Sequence, residues 1–292
     1  MRSFFARIHF LLSAISIMGC NQKVEILDGI MDEGQLCFQI NTSQAVFMYQ
    51  LEAGGYSSIL DKEGNDWIGF HPDTAESYPR SASSSYRGLP NLVFRSDDGG
   101  AGHPGFNKCI STKISDNSIR SESKSGKWAW AWTFQNDYAI LEVEKTDPNH
   151  AYWLLYEGIP GGVYQPHKQY WGTDKGGPDR SIPDYHFGNT HFNNWQWAYF
   201  GHEDINRIFY IAQLNGDDLI DTFGYLGNTN EGVISPDGMV VFGLGREKGA
   251  KPLMTKPQKF VIGFLEINVT CREDHNEVVD RINNILIDSS AY

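Results

Sequence analysis

Apolar and polar residues alternate along most of this chain, as they do in strands that bury one face. Tight turns rich in Gly, Asn and Asp separate the alternating stretches. Only residues 272–288 have helical spacing, with Val278, Ile282, Ile285 and Leu286 on one face. The pattern therefore predicts one large antiparallel β-sandwich with a short C-terminal helix. The predicted strands lie at 37–41, 45–51, 57–70 (interrupted by a turn at 62–65), 108–114, 118–123, 127–134, 138–145, 151–157, 207–214, 219–223, 239–245 and 259–269.

Two stretches lack this alternation and are predicted to be long loops. The first, residues 71–105, is rich in Ser, Gly, Asp and Pro, and the second is residues 164–207. Loops of this length in a compact domain often carry function.

A stripe of aromatic residues marks the strand predicted at 127–134. Period two places Trp128, Trp130, Trp132 and Phe134 on one face. Such a face is either a sugar-binding platform or core packing, and core packing is the commoner outcome for large aromatic residues.

The composition narrows the class of protein. Aromatic residues make up 13% of the 292 residues and there are 30 glycines, which suits many strands joined by tight turns. A net charge of -12 argues against nucleic acid or an anionic membrane surface as the main partner. It leaves an acidic polysaccharide possible, because Arg, Lys and His can form a local positive cluster. No nucleotide-binding loop or cofactor motif is present, and no cofactor is expected.

The N-terminus has the features of an export signal. Arg2 and Arg7 precede an apolar run over residues 8–18, and Gly19 and Cys20 follow it. The sequence Ile17-Met18-Gly19-Cys20 resembles a bacterial lipobox, in which the cysteine is lipidated and becomes the first mature residue. We therefore expect a signal peptide over residues 1–19 and a single sandwich domain over 20–292. We also expect the protein in the bacterial cell envelope, anchored to the outer membrane by lipid alone. Ordinary signal cleavage, with Cys20 unmodified, is the alternative.

If Cys20 is lipidated, three cysteines remain: Cys37, Cys109 and Cys271. They allow at most one disulfide. Their spacing does not suggest structural zinc, so buried, unreactive thiols are expected.

Four of the nine histidines fall between Tyr164 and Arg207, among many tyrosines and tryptophans. Imidazole transfers protons near neutral pH, and flat aromatic rings stack on the apolar faces of sugars. This segment, which we call the His-aromatic segment, is therefore predicted to carry a carbohydrate site. The histidines are His167, His186, His191 and His202.

Three short motifs resemble the opening of galactose-mutarotase-like proteins: GYSSILDKEGNDW at 55–67, YRGLP at 86–90 and GHPG at 102–105. The resemblance implies a large twisted β-sandwich that binds sugars on a concave face. The fold also hosts polysaccharide lyases and glycoside hydrolases, so it does not choose a reaction. A mutarotase or epimerase needs a histidine pair and a late carboxylate as base. His103 and His191 match the pair, while the carboxylate stays open among Glu231, Glu247 and Glu266.

The candidate residues also suit a lyase that acts on uronic-acid polymers. Such an enzyme needs a cation to neutralise the uronate, a base to remove the C5 proton and an acid for the departing oxygen. The predicted catalytic residues are His186, His191, Tyr185, Arg87 and His103. The predicted substrate-binding residues are Trp171, Trp195, Trp197, Tyr170, Arg180 and Lys168.

The sequence also allows three other interpretations of these residues. A hydrolase would need paired carboxylates, such as Glu157 with Asp174, Asp179, Asp184, Glu203 or Asp204. A non-catalytic glycan-binding lipoprotein would use the tryptophans alone. A metal site would use His186, His191 and His202 or Glu203, but no metal-binding helical motif supports it and none is expected. A polysaccharide or oligosaccharide is thus the expected partner.

Overall fold

The computed structural model describes residues 23–69, 90–94, 107–181, 191–226 and 238–291. Within them, strands dominate and one long α-helix lies near the C-terminus. The first ten strands are β1 (Glu25–Asp32), β2 (Gln35–Asn41), β3 (Ala45–Gln50), β4 (Gly55–Asp61), β5 (Pro90–Val93), β6 (Cys109–Ser115), β7 (Ser118–Ser123), β8 (Ala129–Phe134), β9 (Tyr138–Lys145) and β10 (Trp153–Gly158).

A 3-10 turn at Pro160–Gly162 leads into the second half of the chain. The helix α1 spans Arg272–Ser289. The remaining strands are β11 (Gln169–Thr173), β12 (Gly176–Asp179), β13 (His191–Asn193), β14 (Trp197–His202), β15 (Ile208–Gln213), β16 (Asp221–Leu226), β17 (Met239–Leu244), β18 (Arg246–Glu247), β19 (Lys251–Pro252) and β20 (Lys259–Leu265).

The strands form antiparallel sheets of nine, five, four and two strands. The nine-stranded sheet has the order β12-β11-β14-β15-β20-β9-β8-β7-β6 and the five-stranded sheet β13-β16-β17-β10-β5. The four-stranded sheet β1-β2-β3-β4 is a meander, and β18-β19 is a short ribbon. The predicted large antiparallel β-sandwich with a C-terminal helix is therefore confirmed.

The main core contains side chains from all three large sheets. Phe47 comes from the four-stranded sheet, Phe242 from the five-stranded sheet and Phe209 from the nine-stranded sheet. The tryptophan stripe of β8 also lies here, with Trp128, Trp130 and Trp132 fully buried. The core interpretation of that stripe is thus confirmed.

A second core lies between the other face of the nine-stranded sheet and α1. Val278, Ile282 and Leu286 of the helix pack on residues such as Trp197 and Tyr210. The helix begins after Cys271, and the Asp274 carboxylate accepts hydrogen bonds from the Thr270 hydroxyl and from backbone N–H groups, which lower the pKa of Asp274 to about 2. The helix predicted over 272–288 is therefore confirmed.

Two predicted loops contain strands. The stretch 71–105 includes β5, and the His-aromatic segment includes β11, β12, β13 and β14. Every residue of β11 and β14 is buried, because the main core lies on one side of the nine-stranded sheet and the second core on the other. Strands buried on both faces lose the period-two alternation. β10 and β15 are buried throughout as well, but their runs of Leu and Ile still predict strands, whereas the Trp, Tyr and Gly residues of β11 and β14 resemble a binding loop. After the predicted turn at 62–65, the described residues 66–69 form an isolated bridge, Asp66 with Leu60, in place of the predicted second strand.

Cys37, Cys109 and Cys271 are all free thiols. Cys37 and Cys109 are buried as expected, but Cys271 is exposed beside α1. No helix in the described ranges is both long and apolar enough to cross a bilayer.

Candidate functional site

An open cleft of about 600 Å³ lies between the edges of two sheets. One wall is β12, the edge strand of the nine-stranded sheet, and the other is β13, the edge strand of the five-stranded sheet. In the sequence, residues 182–190 connect these two walls. The cleft is lined by Trp171, Gly172, Thr173, Lys175, Gly176, Gly177, Pro178, Asp179, Arg180, His191, Phe192, Asn193 and Trp195.

Aromatic rings form the inner wall of the cleft. Trp171 stacks on Phe223 with ring centroids 4.1 Å apart, and Trp195 meets Trp171 edge-on at 5.7 Å. The half-buried His191 ring lies 5.1 Å from that of Trp171. Trp171 and Trp195 are each only 6% exposed, so they offer edges to the cleft and leave their faces packed in the core. Phe192, 41% exposed, is the aromatic ring with an open surface at the rim.

The β11–β12 hairpin supplies the charged residues of the cleft. Its tight turn arises from the sequence Thr173-Asp174-Lys175-Gly176, in which the Thr173 hydroxyl accepts a hydrogen bond from the Lys175 N–H. The Lys175 ammonium is exposed and pairs with Asp174 at 3.1 Å. Arg180 is exposed at the end of β12. Two cationic side chains and one carboxylate, that of Asp179, thus line the cleft within the described residues.

A buried carboxylate holds the Trp195 backbone in place. Asp221 accepts hydrogen bonds from the N–H of Trp195 at 2.6 Å and from the N–H of Gly245 at 2.7 Å. Burial raises the pKa of Asp221 to about 7, although these two bonds oppose the shift. Asp221 therefore ties the link between β13 and β14 to the end of β17.

Four of the residues predicted from the sequence meet in this cleft: Trp171, Arg180, His191 and Trp195. Five others lie outside the described residues. They are Cys20, Arg87, His103, Tyr185 and His186.

Two residues predicted to stack on a sugar lie away from the cleft. Trp197 and Tyr170 are each 1% exposed and belong to the second core, beneath the C-terminal helix. The Tyr170 hydroxyl accepts a hydrogen bond from the Val269 N–H at 3.0 Å and donates one to Asn268 at 3.1 Å. Neither ring has a face available to a sugar.

Lys168 and His202 lie apart from the cleft. Lys168 pairs with Asp204 at 2.7 Å. His202 is buried, contacts Gln165 through Nε2 at 3.2 Å and accepts the Asp204 N–H at Nδ1. Burial lowers the pKa of His202, so it is a neutral structural residue near pH 7. Among the described residues, no three His, Cys, Asp or Glu side chains are grouped as metal ligands.

The sequence did not indicate Lys175, Phe192 or Asp221. It offered Asp179 only as a carboxylate for a hydrolase. The Gly-rich turn around Lys175 and the acidic residue inside a predicted apolar strand were the available signals. The pairing of two sheet edges is a tertiary feature that no local pattern contains.

Several solved structures align with this chain at low sequence identity. HI1317 aligns with a TM-score of 0.52 and 9% identity, over 83% of this chain and 100% of that one. A galactose mutarotase-like protein from Lactobacillus casei gives 0.49 and 8%, over 78% and 100%. A heparan sulfate lyase, HepC from Pedobacter heparinus, gives 0.44 and 13%, over 86% of this chain but 36% of that one.

The predicted antiparallel β-sandwich is confirmed, and HI1317 shares this fold. No protein-family model matches the chain, and no curated protein is significantly similar in sequence. The chain spans about a third of the HepC lyase.

Proposed function

We propose that this protein is a lipid-anchored, carbohydrate-active enzyme that cleaves a uronic-acid-containing polysaccharide by β-elimination. The observation that carries the proposal is the cleft between β12 and β13, where His191, Arg180 and Lys175 lie along an aromatic wall. An imidazole, two cations and aromatic edges in one open groove are the parts that an acidic sugar polymer requires.

The reaction can be assigned to these residues in steps. Arg180 or Lys175 neutralises the uronate carboxylate, which makes the neighbouring C5 proton more acidic. His191 removes that proton. The C5–H electrons form the C4=C5 double bond while the C4–O bond breaks, and an acid protonates the departing oxygen. Tyr185 and His186, in the segment that connects the two walls, are the candidates for that acid.

The carboxylates give less support to the alternative reactions. A hydrolase needs two carboxyl groups about 5 to 10 Å apart, and Asp179 is the single carboxylate among the described lining residues. Glu157 is buried on β10 and does not line the cleft. Of the carboxylates that a mutarotase could use, Glu247 pairs with Lys251 and Glu266 with Lys62, while Glu231 lies outside the described residues.

The proposal is tested with the soluble domain and a panel of uronate-containing and neutral polysaccharides. Absorbance near 235 nm, which is roughly where unsaturated uronates absorb, is followed together with new reducing ends. We expect both signals to rise on at least one acidic polymer. His191→Ala should then lower kcat by about 100-fold or more, the usual loss when a general base is removed. Lys175→Ala should mainly raise KM.

His167→Ala is the matched control, because His167 is exposed and does not line the cleft. It should keep full activity. New reducing ends without absorbance would indicate a hydrolase and overturn the lyase assignment. If the protein bound a polymer but formed no product, a glycan-binding lipoprotein would be the function indicated. Full activity of His191→Ala would overturn the assignment of His191 as the base.

A further inference from the structure

The C-terminal helix supports one wall of the cleft from behind. It packs on the face of the nine-stranded sheet that lies opposite the main core, and it also contacts β12. At the centre of this contact, the buried His275 of α1 meets the hydroxyl of Tyr199 on β14, with Nδ1 and Oη 3.1 Å apart. The His275–Tyr199 pair thus connects the helix to the sheet directly under β12.

The backbone of β12 rests on this pair at Gly177. A Cβ at that position would lie 2.7 Å from the Tyr199 hydroxyl and 3.1 Å from His275 Nδ1. It would also lie 2.9 Å from the Gly172 Cα of the neighbouring strand. Such distances leave no room for a side chain, so the backbone of β12 at Gly177 packs directly against the His275–Tyr199 pair. The position of β12 therefore depends on the position of that pair.

A second contact fixes the far end of β12. Arg180 donates a hydrogen bond to the Val269 carbonyl at 3.1 Å, and its guanidinium lies 4.6 Å above the Tyr170 ring. Val269 belongs to the segment that leads into α1. Both ends of this cleft wall are therefore attached to the C-terminal region.

We propose that His275 is a positioning residue for the cleft, whose neutral imidazole holds Tyr199 and thereby β12 in place. Protonation of His275 releases this hold, so the β12 wall loosens in acid and the cleft binds its ligand less tightly. The identity of that ligand rests on the proposed function, but the coupling between His275 and β12 does not.

The charges around His275 favour its neutral form. Burial lowers the pKa of His275, and Arg272 on the same helix lowers it further. The groups that face the pair from the neighbouring elements are Arg180 on β12, Tyr170 on β11, Tyr199 and Trp197 on β14, and Asp274 on α1. Burial also raises the pKa of Tyr199 far above its ordinary value, so its hydroxyl stays protonated. In the proposed tautomer the imidazole proton is on Nε2, and the Tyr199 hydroxyl donates to Nδ1.

The direction of the pH effect follows from this shift. A histidine whose pKa is lowered by folding contributes stability above its ordinary value of 6.5, and that contribution is lost as the pH falls below it. Once Nδ1 carries a proton, it can no longer accept from Tyr199, so the hydrogen bond must reverse and the Tyr199 hydroxyl proton loses its acceptor. The new charge is then buried beside the positive charge of Arg272.

Amide hydrogen exchange in the peptide that covers β12 tests the inference without any glycan. After correction for intrinsic exchange, uptake there should rise about tenfold between about pH 7.5 and about pH 5 in the wild type. His275→Asn keeps an acceptor near the Nδ1 position and cannot be charged, so its uptake should stay low at both pH values. His275→Ala and Gly177→Ala should exchange quickly at both.

Gly216→Ala is the matched control, because a Cβ at that position meets only ordinary contacts at 3.7 Å. It should behave as the wild type. If His275→Asn showed the same acid-induced rise as the wild type, the inference would be overturned. Where an acidic glycan is cleaved, KM should rise in acid for the wild type and not for His275→Asn. If none of the tested glycans were cleaved, only the proposed function would be contradicted. Hydrogen exchange would still test the role of His275.

Discussion

Asp221 shows how one buried carboxylate can fix the floor of a cleft. Its two oxygens accept N–H groups from Trp195 and Gly245, which lie in different parts of the chain. Within the described residues no cationic side chain pairs with this carboxylate, so the two backbone N–H groups are what compensate its charge. Burial dominates this balance and raises the pKa of Asp221 to about 7.

This raised pKa predicts how stability changes with pH. A carboxyl group whose pKa is higher in the folded state stabilises the fold fully below its ordinary value of 3.8, and this contribution is lost as the pH rises toward 7. Asp221→Asn has no charge to bury, but its amide group accepts only one of the two N–H groups. We expect the variant to be less stable at pH 5 by about 1 to 3 kcal/mol, and this deficit to shrink by pH 8.

Urea unfolding of both proteins at the two pH values measures this difference. Other groups that titrate in the same range, such as Asp66, are common to both proteins and cancel. Asp116→Asn, at an exposed position beside Lys23, is the control and should show no such change with pH. A constant gap between Asp221→Asn and the wild type would show that Asp221 does not titrate in this range.

At the scale of the strands, one aromatic residue on β8 packs in the core, while one on β13 lies in the cleft. Trp130 on β8 is fully buried and donates its indole N–H to the Tyr49 hydroxyl at 3.0 Å. Phe192 on β13 lines the cleft and is partly exposed. We expect Trp130→Ala to cost about 3 to 5 kcal/mol of unfolding free energy and to leave glycan affinity per folded molecule unchanged. Phe192→Ala should do the opposite, with a stability change within about 0.5 kcal/mol and weaker glycan retention.

Urea unfolding and affinity electrophoresis in a polysaccharide gel measure the two properties separately. If Trp130→Ala does not fold, Trp130→Phe serves instead, since it keeps most of the apolar volume and removes only the indole N–H. Weaker glycan binding by folded Trp130→Phe would restore the sugar-platform reading of the β8 stripe.

The strands also show what the sequence could and could not predict. Strands such as β8 and β9, each with one face less buried than the other, have the alternation that predicts a strand, and α1 has the apolar stripe that predicts a helix. β14 does not stand out because it is buried on both faces and its Trp, Tyr and His residues are also typical of a binding loop. Trp197 shows the difficulty, since a tryptophan beside histidines has the same sequence pattern whether it lines a cleft or lies beneath it.

The site itself was predicted in part. Trp171, Arg180, His191 and Trp195 stood out because imidazole, guanidinium and indole groups share one segment. The cleft itself was not predictable in this way. It lies between β12 and β13, which are edge strands of two different sheets. The role of His275 depends on a helix that is about 100 residues away in the sequence, and no local spacing indicates such a contact.

For the whole molecule, a net charge of -12 opposes the binding of an acidic polymer in the cleft. An acidic polymer is repelled by most of such a surface, and Lys175 and Arg180 attract it only at short range. Attachment to a membrane would offset weak recruitment, because it keeps the enzyme where its polymer is processed. The lipobox-like sequence that ends at Cys20 is the feature that would provide it, with only Asn21 and Gln22 between Cys20 and Lys23.

Expression of the full chain in a bacterium tests this anchor. We expect the protein in the membrane fraction and resistant to high-salt washing. Acyl chains contribute about 0.8 kcal/mol for each buried methylene, so two or three of them hold a domain firmly, and salt does not weaken an apolar contact. Cys20→Ser should move the protein to the soluble fraction of the envelope. Mass spectrometry of the mature N-terminus should find acyl groups on Cys20 in the wild type only.

Cys271→Ser is the matched control, because Cys271 is the exposed free thiol among the described cysteines. It should stay in the membrane fraction and keep the same acylated N-terminus. If the wild type were soluble and carried an unmodified N-terminus, ordinary signal cleavage would be the correct reading. Recruitment to an acidic polymer would then depend on the cleft alone, and glycan turnover by the free domain should fall steeply at low ionic strength, where the repulsion from the surrounding surface is least screened.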